Sequence, residues 1–363
     1  MTALKPSSSR KRGSSTEAAH CPSCEPPKKR PWWKDQVLWA LVLVGFFLAL
    51  GKFWPAAQPV SDSLWDYLRR AGWAVLLGLA IGGAIERYVP KEYICLWLAG
   101  RRRGTVLTSA GLGFLASSCS HGCLALSMEL YRKGASVPAV ITFLLASPWA
   151  SLSLTLLIVS LMGFKGLLIV VLALGVAVLT GLIFQSLEAR GLLPSNPNTV
   201  SAAQGFSIGE DFKRRFRRRR WTVSTLLADA QGIFRGGWEL GQMVLFWVAV
   251  GFSLSAVLGS AVPSGWWAKY LGPTPLGLLI TLGLASAIEV CSEGTAPLAV
   301  ELYRKSGALG NAFGFLMAGV VTDFTELAVV WRNLGKQAVG WLLVVTLPQI
   351  FFLGMLMNLL GGR

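Results

Sequence analysis

The sequence predicts an all-α, polytopic membrane protein: two repeats, inverted relative to one another, with re-entrant or broken helices and one extra N-terminal span. Three observations predict it. Of 363 residues, 53% are hydrophobic and 14% charged, with a mean hydropathy of +0.54, whereas soluble domains carry roughly 25% charged residues. Apolar segments cover 37–54, 72–89, 104–131, 136–163, 166–187, 238–262, 275–303, 309–331 and 338–360, and a bilayer core about 30 Å thick takes roughly 20 residues of helix. Finally, Cys119-Ser120-His121-Gly122 and Glu129-Leu130-Tyr131-Arg132-Lys133 return as Cys291-Ser292-Glu293-Gly294 and Glu301-Leu302-Tyr303-Arg304-Lys305, each 172 positions on without a gap. A polar motif placed twice in a membrane chain marks two structural repeats that meet near the bilayer midplane. Forty glycines suit close helix packing and interrupted helices better than the short alternating strands of a β-barrel.

Taken in order, residues 1–35 form a Ser-, Pro-, Lys- and Arg-rich tail expected to be disordered. Residues 36–56 carry the extra span, which has no small-residue cleavage site and so reads as an anchor. Repeat one covers 70–187, a basic linker 188–236, and repeat two 237–363. The net charge of +16 comes from the tail, with Lys28-Lys29-Arg30, and the linker, with Lys213 to Arg220. Beside so much apolar sequence these are topology signals and contacts for anionic membrane lipids, with no nucleic-acid partner expected.

Positive loops face the cytoplasm, which places the tail, Arg101-Arg102-Arg103 and Arg217 to Arg220 on that side of an inner (plasma) membrane. Three apolar segments lie between the last two, yet an even number of crossings is required. One segment must be re-entrant. The segment 104–133 fits, with Ser117-Ser118-Cys119-Ser120-His121-Gly122 in its middle and basic residues at both ends. Non-helical backbone at that depth must be buried in protein or line a cavity. The same pattern in repeat two, inverted, puts Arg304 and Lys305 on the outer side, against the charge rule.

The first motif offers Cys119, Ser120, His121 and Cys123; the second offers Cys291 and Ser292. Thiolates and imidazole suit Cu(I), Zn(II) or a trivalent metalloid, although small residues packing a tight helix break would look alike. Glu289, Glu293, Asp323 and Glu326 are acids within apolar segments. Such residues face cavities and pair with one another, and buried carboxylates can carry protons. Asp323 stands 172 positions after Ser151, and backbone breaks are expected at Ala146-Ser147-Pro148 and Ala318-Gly319-Val320. The Glu-Leu-Tyr-Arg-Lys runs read as helix ends, where cations oppose the macrodipole. In the tail, His20, Cys21 and Cys24 make half of a metal site.

At these residues the chain resembles a family of predicted permeases that includes the methylarsenite and organoarsenical efflux permeases. The resemblance rests on Cys119-Ser120-His121-Gly122, Arg132-Lys133, Phe143 to Pro148, Cys291-Ser292-Glu293 and Asp323, over roughly 70–360. It implies a permease fold with a thiol-lined substrate path. The family's first motif is Cys-Ser-Cys-Gly; here His121 replaces the second Cys, and Cys123 follows two residues later.

The resulting expectation is secondary, proton-coupled efflux of a soft metal ion, metalloid or small thiophilic compound. Cys119, Ser120, His121, Cys123, Cys291 and Ser292 would bind this small inorganic or organometal substrate; Glu293, Asp323, Glu289 and Glu326 would handle protons. No cofactor is expected beyond a bound soft metal ion, and the chain could form a homo-oligomer. No Gly-x-x-x-x-Gly-Lys-(Ser/Thr) element is present for ATP hydrolysis. Two rival readings stay open: a membrane thiol–disulfide oxidoreductase using Cys21/Cys24 or Cys119/Cys123, and a passive channel.

Overall fold

A computed structural model describes residues 36–88, 104–116, 120–132, 134–197, 223–288 and 292–361. These fold as helices: α1 (Gln36–Phe53), α2 (Gln58–Tyr88), α3 (Thr105–Ala116), α4 (Ser120–Arg132), α5 (Val137–Ala150), α6 (Leu152–Met162) and α7 (Phe164–Ala189). After the linker come α8 (Val223–Ala261), α9 (Ser264–Tyr270), α10 (Pro275–Ala287), α11 (Ser292–Ser306), α12 (Leu309–Val321), α13 (Phe324–Leu334) and α14 (Lys336–Gly361). Among the described residues α1, α7, the second half of α8 and α14 are each long and apolar enough to cross a membrane. The bent pairs α5–α6 (48°) and α12–α13 (44°) pass the same test as broken spans. α9 meets α10 at 103°, and its seven residues reach only about 10 Å.

Every residue of α5 is buried, and every residue of α12 except Gly319. These two helices are the centre of the bundle. Large apolar side chains such as Phe352 and Leu359 of α14 and Leu41 and Phe46 of α1 are exposed, as a helix facing hydrocarbon requires. The apolar exterior and the buried carboxylates Glu293, Glu301, Asp323 and Glu326 invert the pattern of a soluble domain.

Packing fixes the direction of each helix. α2 and α8 run antiparallel along a glycine seam. A Cβ on Gly83 would lie 2.4 Å from the Ile233 carbonyl oxygen, and one on Gly237 would lie 3.0 Å from that of Leu79. Tyr67 stacks on Phe252 at 5.6 Å, and Arg87 pairs with Asp229 at 3.3 Å. The start of α2 and the end of α8 thus share one end of the bundle, face A; the end of α2 and the start of α8 share the other, face B.

α11 runs parallel to α8, because Gly251 lies against Gly294 and Gly259 against Glu301. The end of α11 therefore reaches face A. There Lys165, in the first turn of α7, donates to the Tyr303 hydroxyl. α7 has 26 residues, about 39 Å, and its other end lies at face B. Beyond that end Asn196 donates to the carbonyls of Tyr131 (2.6 Å) and Ala135 (2.7 Å), so α4 ends at face B.

The expected breaks fall a few residues late. α5 runs through Pro148 to Ala150, and the chain breaks at Ser151 (ψ 128°). Pro148 lacks only its own N–H; Ser147 Oγ bonds back to the Phe143 carbonyl at 2.6 Å, and the helix persists. α12 likewise continues past Gly319 to Val321. Helix boundaries in the two halves then agree at the spacing of the motifs: α5 and α12 begin at 137 and 309, α6 and α13 at 152 and 324, α7 and α14 at 164 and 336. Gly163 (φ 61°) and Gly335 (φ 94°) close α6 and α13 in a backbone region that glycine enters at little cost.

Candidate functional site

Two helical hairpins enter the bundle from opposite faces. The first begins at face B, where Val106 of α3 lies beside Gly181 of α7 and Thr142 of α5. α3 climbs until Gly113 touches Ser147, with a Cβ there only 3.2 Å from the Ser147 nitrogen. α4 then returns to face B at Tyr131. The second hairpin begins at face A. Asn311 of α12 pins its base by donating to the Leu271 and Gly272 carbonyls (2.9 and 3.0 Å) and to Thr281 Oγ1 (3.2 Å). Near its tip Thr322 donates to Ser286 at 2.9 Å, and Gly319 approaches the Ala285 carbonyl. The contacts Gly113–Ser147 and Ala285–Gly319 occupy matching positions, 172 apart. Each tip therefore stops beside the break in its own half's central helix.

The tips also reach into the opposite half, with α11 packing on α6 and α4 on α13. Helix ends converge here: α4 and α11 start at the tips, α6 and α13 at the breaks. A helix N-terminus has N–H groups that must find partners outside the helix ladder, and it carries the positive end of the macrodipole. Ser151 caps α6, its Oγ accepting from the Leu154 N–H at 3.3 Å. Asp323 caps α13, one carboxylate oxygen accepting from Thr325 N (2.8 Å) and Glu326 N (3.1 Å). Two matching positions thus do the same work with different chemistry, a neutral hydroxyl in one half and a carboxylate in the other.

Glu293 stands in the first turn of α11, 1% exposed, with Ser292 Oγ donating to it at 3.2 Å. Gly294 brings its carbonyl against α8, where a Cβ on Gly251 would lie 2.1 Å from it; only glycine allows that approach. Glu326 is 4% exposed, one turn into α13 and close to Asp323. Both glutamates lie in the first turn of a helix, where the dipole favours negative charge and offsets part of the cost of burial.

Of the residues singled out from sequence, Ser292, Glu293, Asp323 and Glu326 are buried at the tip and break of the second half. Cys123 is a buried thiol one turn into α4, its carbonyl accepting from Ser127 Oγ at 2.7 Å. Ser120 and His121 are the first residues of α4. Cys119, Cys291 and Glu289, together with His20, Cys21 and Cys24, lie outside the described residues. Among the described residues no three His, Cys, Asp or Glu side chains group as metal ligands.

The Glu301–Lys305 run does lie at the end of α11, but Glu301 is also a buried carboxylate, 7% exposed, receiving a hydrogen bond from the Tyr67 hydroxyl. Tyr67 carried no motif, and only the wider rule that an acid inside an apolar segment is functional could have drawn attention to the pair. Arg304 and Lys305, at face A, stand near acids: Arg304 by Asp66 (3.9 Å) and Glu301 (4.0 Å), Lys305 by Glu301 (3.9 Å).

Residues 58–359 match the model of a family described as "Predicted permease". The UPF0718 protein YcgR of Bacillus subtilis is 24% identical over 290 residues, which is 78% of this chain and 91% of that one. "Putative permease Rv2963" of Mycobacterium tuberculosis is 27% identical over 286 residues, 74% of this chain and 67% of its own. No solved structure matches. With four-fifths of its length under the family model, hairpins that stop inside the bundle and carboxylates buried among apolar helices, the chain belongs to the ArsP_1 family of predicted permeases.

Proposed function

We propose that this permease is a secondary transporter of two inverted repeats, which exports a soft metal ion, a metalloid or a small thiophilic compound in exchange for protons. One observation carries the reading: a hairpin from each face ends beside a broken helix, and the motif residues start the returning helices. This is the layout in which interrupted helices form a midplane site reached alternately from either side. Ser120, His121 and Cys123 belong to the first turn of α4 and Ser292 to that of α11, with Cys119 and Cys291 directly before them in sequence. Soft ligands at the tips suit a thiophilic substrate.

Glu293 and Glu326 are the proton carriers in this reading, with Glu289 beside them in sequence. Asp323, committed to two backbone N–H groups, holds the start of α13 in place. Face B, where the chain enters the basic linker, is assigned to the cytoplasm of the inner (plasma) membrane. The test is growth of an efflux-deficient host across Cu(I), Zn(II), trivalent arsenic and trivalent antimony, followed by uptake into inverted vesicles. Protection from at least one of these, with uptake driven by an imposed pH gradient, is expected. Uptake that only equilibrates the compound, unmoved by the gradient, would mark a passive channel and overturn the proposal.

A further inference from the structure

We propose that Glu301 is a further proton-carrying carboxylate, exchanging protons with solvent through a cavity on face A and serving Glu293 earlier along α11. The inference rests on the proton-coupled reading above. A cavity of about 490 Å³ opens at face A between the start of α2 and the ends of α8 and α11. Its wall holds Asp62, Asp66 and Tyr67 from α2 and Glu301, Arg304 and Lys305 from α11. α8 adds Gly259, with no titratable group, and the missing side chain is what seats the acid: a Cβ there would lie 2.4 Å from Glu301 Oε1.

Glu301 stands between the protein interior and the cavity. Its closest partner is the Tyr67 hydroxyl, which is held by stacking on Phe252. Arg304 and Lys305 stand farther off, at 4.0 and 3.9 Å, and Arg304 is half exposed. A tyrosine hydroxyl donates to a carboxylate and accepts from a carboxylic acid. Protonation of Glu301 therefore leaves a hydrogen bond between the two side chains available, with either group donating, as a residue that must visit both states requires. Glu293 lies eight residues earlier on the same helix, about 12 Å away along the axis, on the seam marked by Gly251 and Gly259. The matching residue in the other half, Glu129, is exposed, whereas Glu301 is buried.

The step is a simple transfer. A proton from solvent in the cavity adds to the Glu301 carboxylate, the Tyr67 hydroxyl stays hydrogen-bonded to it as donor or acceptor, and the proton that Glu301 releases is taken up by the Glu293 carboxylate; no electrons move. Infrared difference spectra between acid and alkaline pH, taken on purified protein, need no transported compound. Wild type should show a carboxyl C=O band that Glu301→Gln loses and Glu301→Asp restores at a shifted frequency, while Tyr67→Phe moves its midpoint by about half a pH unit or more, within the range a lost hydrogen bond to the charged form can produce. If Glu301→Gln fails to fold, the Tyr67→Phe midpoint decides: a shift supports the inference, and an unmoved band overturns it.

Uptake of trivalent antimony, Zn(II) or Cu(I) into liposomes carrying a pH-sensitive dye separates the two readings. Proton counterflow should fall tenfold or more in both Glu301→Gln and Glu293→Gln. A Glu301→Gln protein with the wild-type band and wild-type counterflow overturns this inference alone, provided Glu293→Gln has lost its counterflow. If Glu293→Gln also keeps it, the proton-coupled reading fails with it.

Discussion

Tyr131 and Tyr303, 172 positions apart in matching motifs, lie at opposite ends of α7. Asn196, just beyond the C-terminus of that helix, holds the Tyr131 carbonyl at 2.6 Å; Lys165, in its first turn, holds the Tyr303 hydroxyl. A helix of about 39 Å exceeds a hydrocarbon core of about 30 Å, and the inverted arrangement proposed above puts the two motif ends at different membrane surfaces. Single cysteines on a cysteine-free background test this. At Lys165 an impermeant thiol reagent should react from outside intact cells; at Arg132 and Arg190 it should react only after permeabilisation. All three positions are exposed, so an unreactive site is informative. Equal labelling of Lys165 and Arg190 from outside would sink the inverted arrangement.

Asp323 separates capping from proton transfer. Its carboxylate serves two N–H groups at the start of α13, as Ser151 serves one at the start of α6. Asp323→Ala should lower stability by about 1 kcal/mol, the usual cost of a lost N-cap. Asp323→Ser should restore most of it by copying the other half. Melting followed by size-exclusion chromatography in detergent measures this. If Asp323→Ser is as stable as wild type yet transports without pH dependence, the residue carries protons and is more than a cap.

The contact of Gly251 with Gly294 sets how deeply the second hairpin sits. A methyl group on Gly251 would lie 2.1 Å from the Gly294 carbonyl oxygen, so Gly251→Ala forces α8 and α11 apart. Gly45 and Gly72 have nothing within 4 Å of such a methyl, and replacing either by Ala should be neutral or mildly stabilising, since alanine favours helix by up to about 1 kcal/mol. Gly251→Ala should cost about 1–3 kcal/mol, the range for overpacking, and should reduce transport. A Gly251→Ala protein as stable and active as Gly72→Ala would show that the close approach does not matter.

The all-α, membrane-spanning class and the rough positions of the bends were legible because they rest on hydropathy and on small residues or proline within apolar segments, both properties of the chain alone. The site was legible only in part. Glu293, Asp323 and Glu326 stood out as acids in apolar sequence. Tyr67 did not, because its importance comes from α2 crossing α8 and α11, and no local pattern encodes that crossing. The exact breaks were also missed: small residues and Pro148 permit a break, but the capping groups of Ser151 and Asp323 decide where the next helix starts.

The unlike residues at matching positions, His121 and Glu293, lead to the last prediction. Each stands in the first turn of the helix that returns from a hairpin tip. A helix N-terminus is the same electrostatic environment in both cases, yet one half has a histidine between two cysteines in sequence and the other a buried acid. Imidazole and thiols hold soft cations, whereas a carboxylate is a hard ligand that readily takes a proton. If the halves have divided the work, Cys119→Ala and His121→Ala should weaken binding of antimony(III), Zn(II) or Cu(I) at least tenfold, and Glu293→Gln should change binding less than threefold. Glu293→Gln should instead flatten the pH profile of transport. Isothermal titration on the purified protein and pH-stepped vesicle uptake give the two readouts separately. Should Glu293→Gln lose binding as severely as Cys119→Ala, the carboxylate is itself a ligand and the two tips form one shared substrate site.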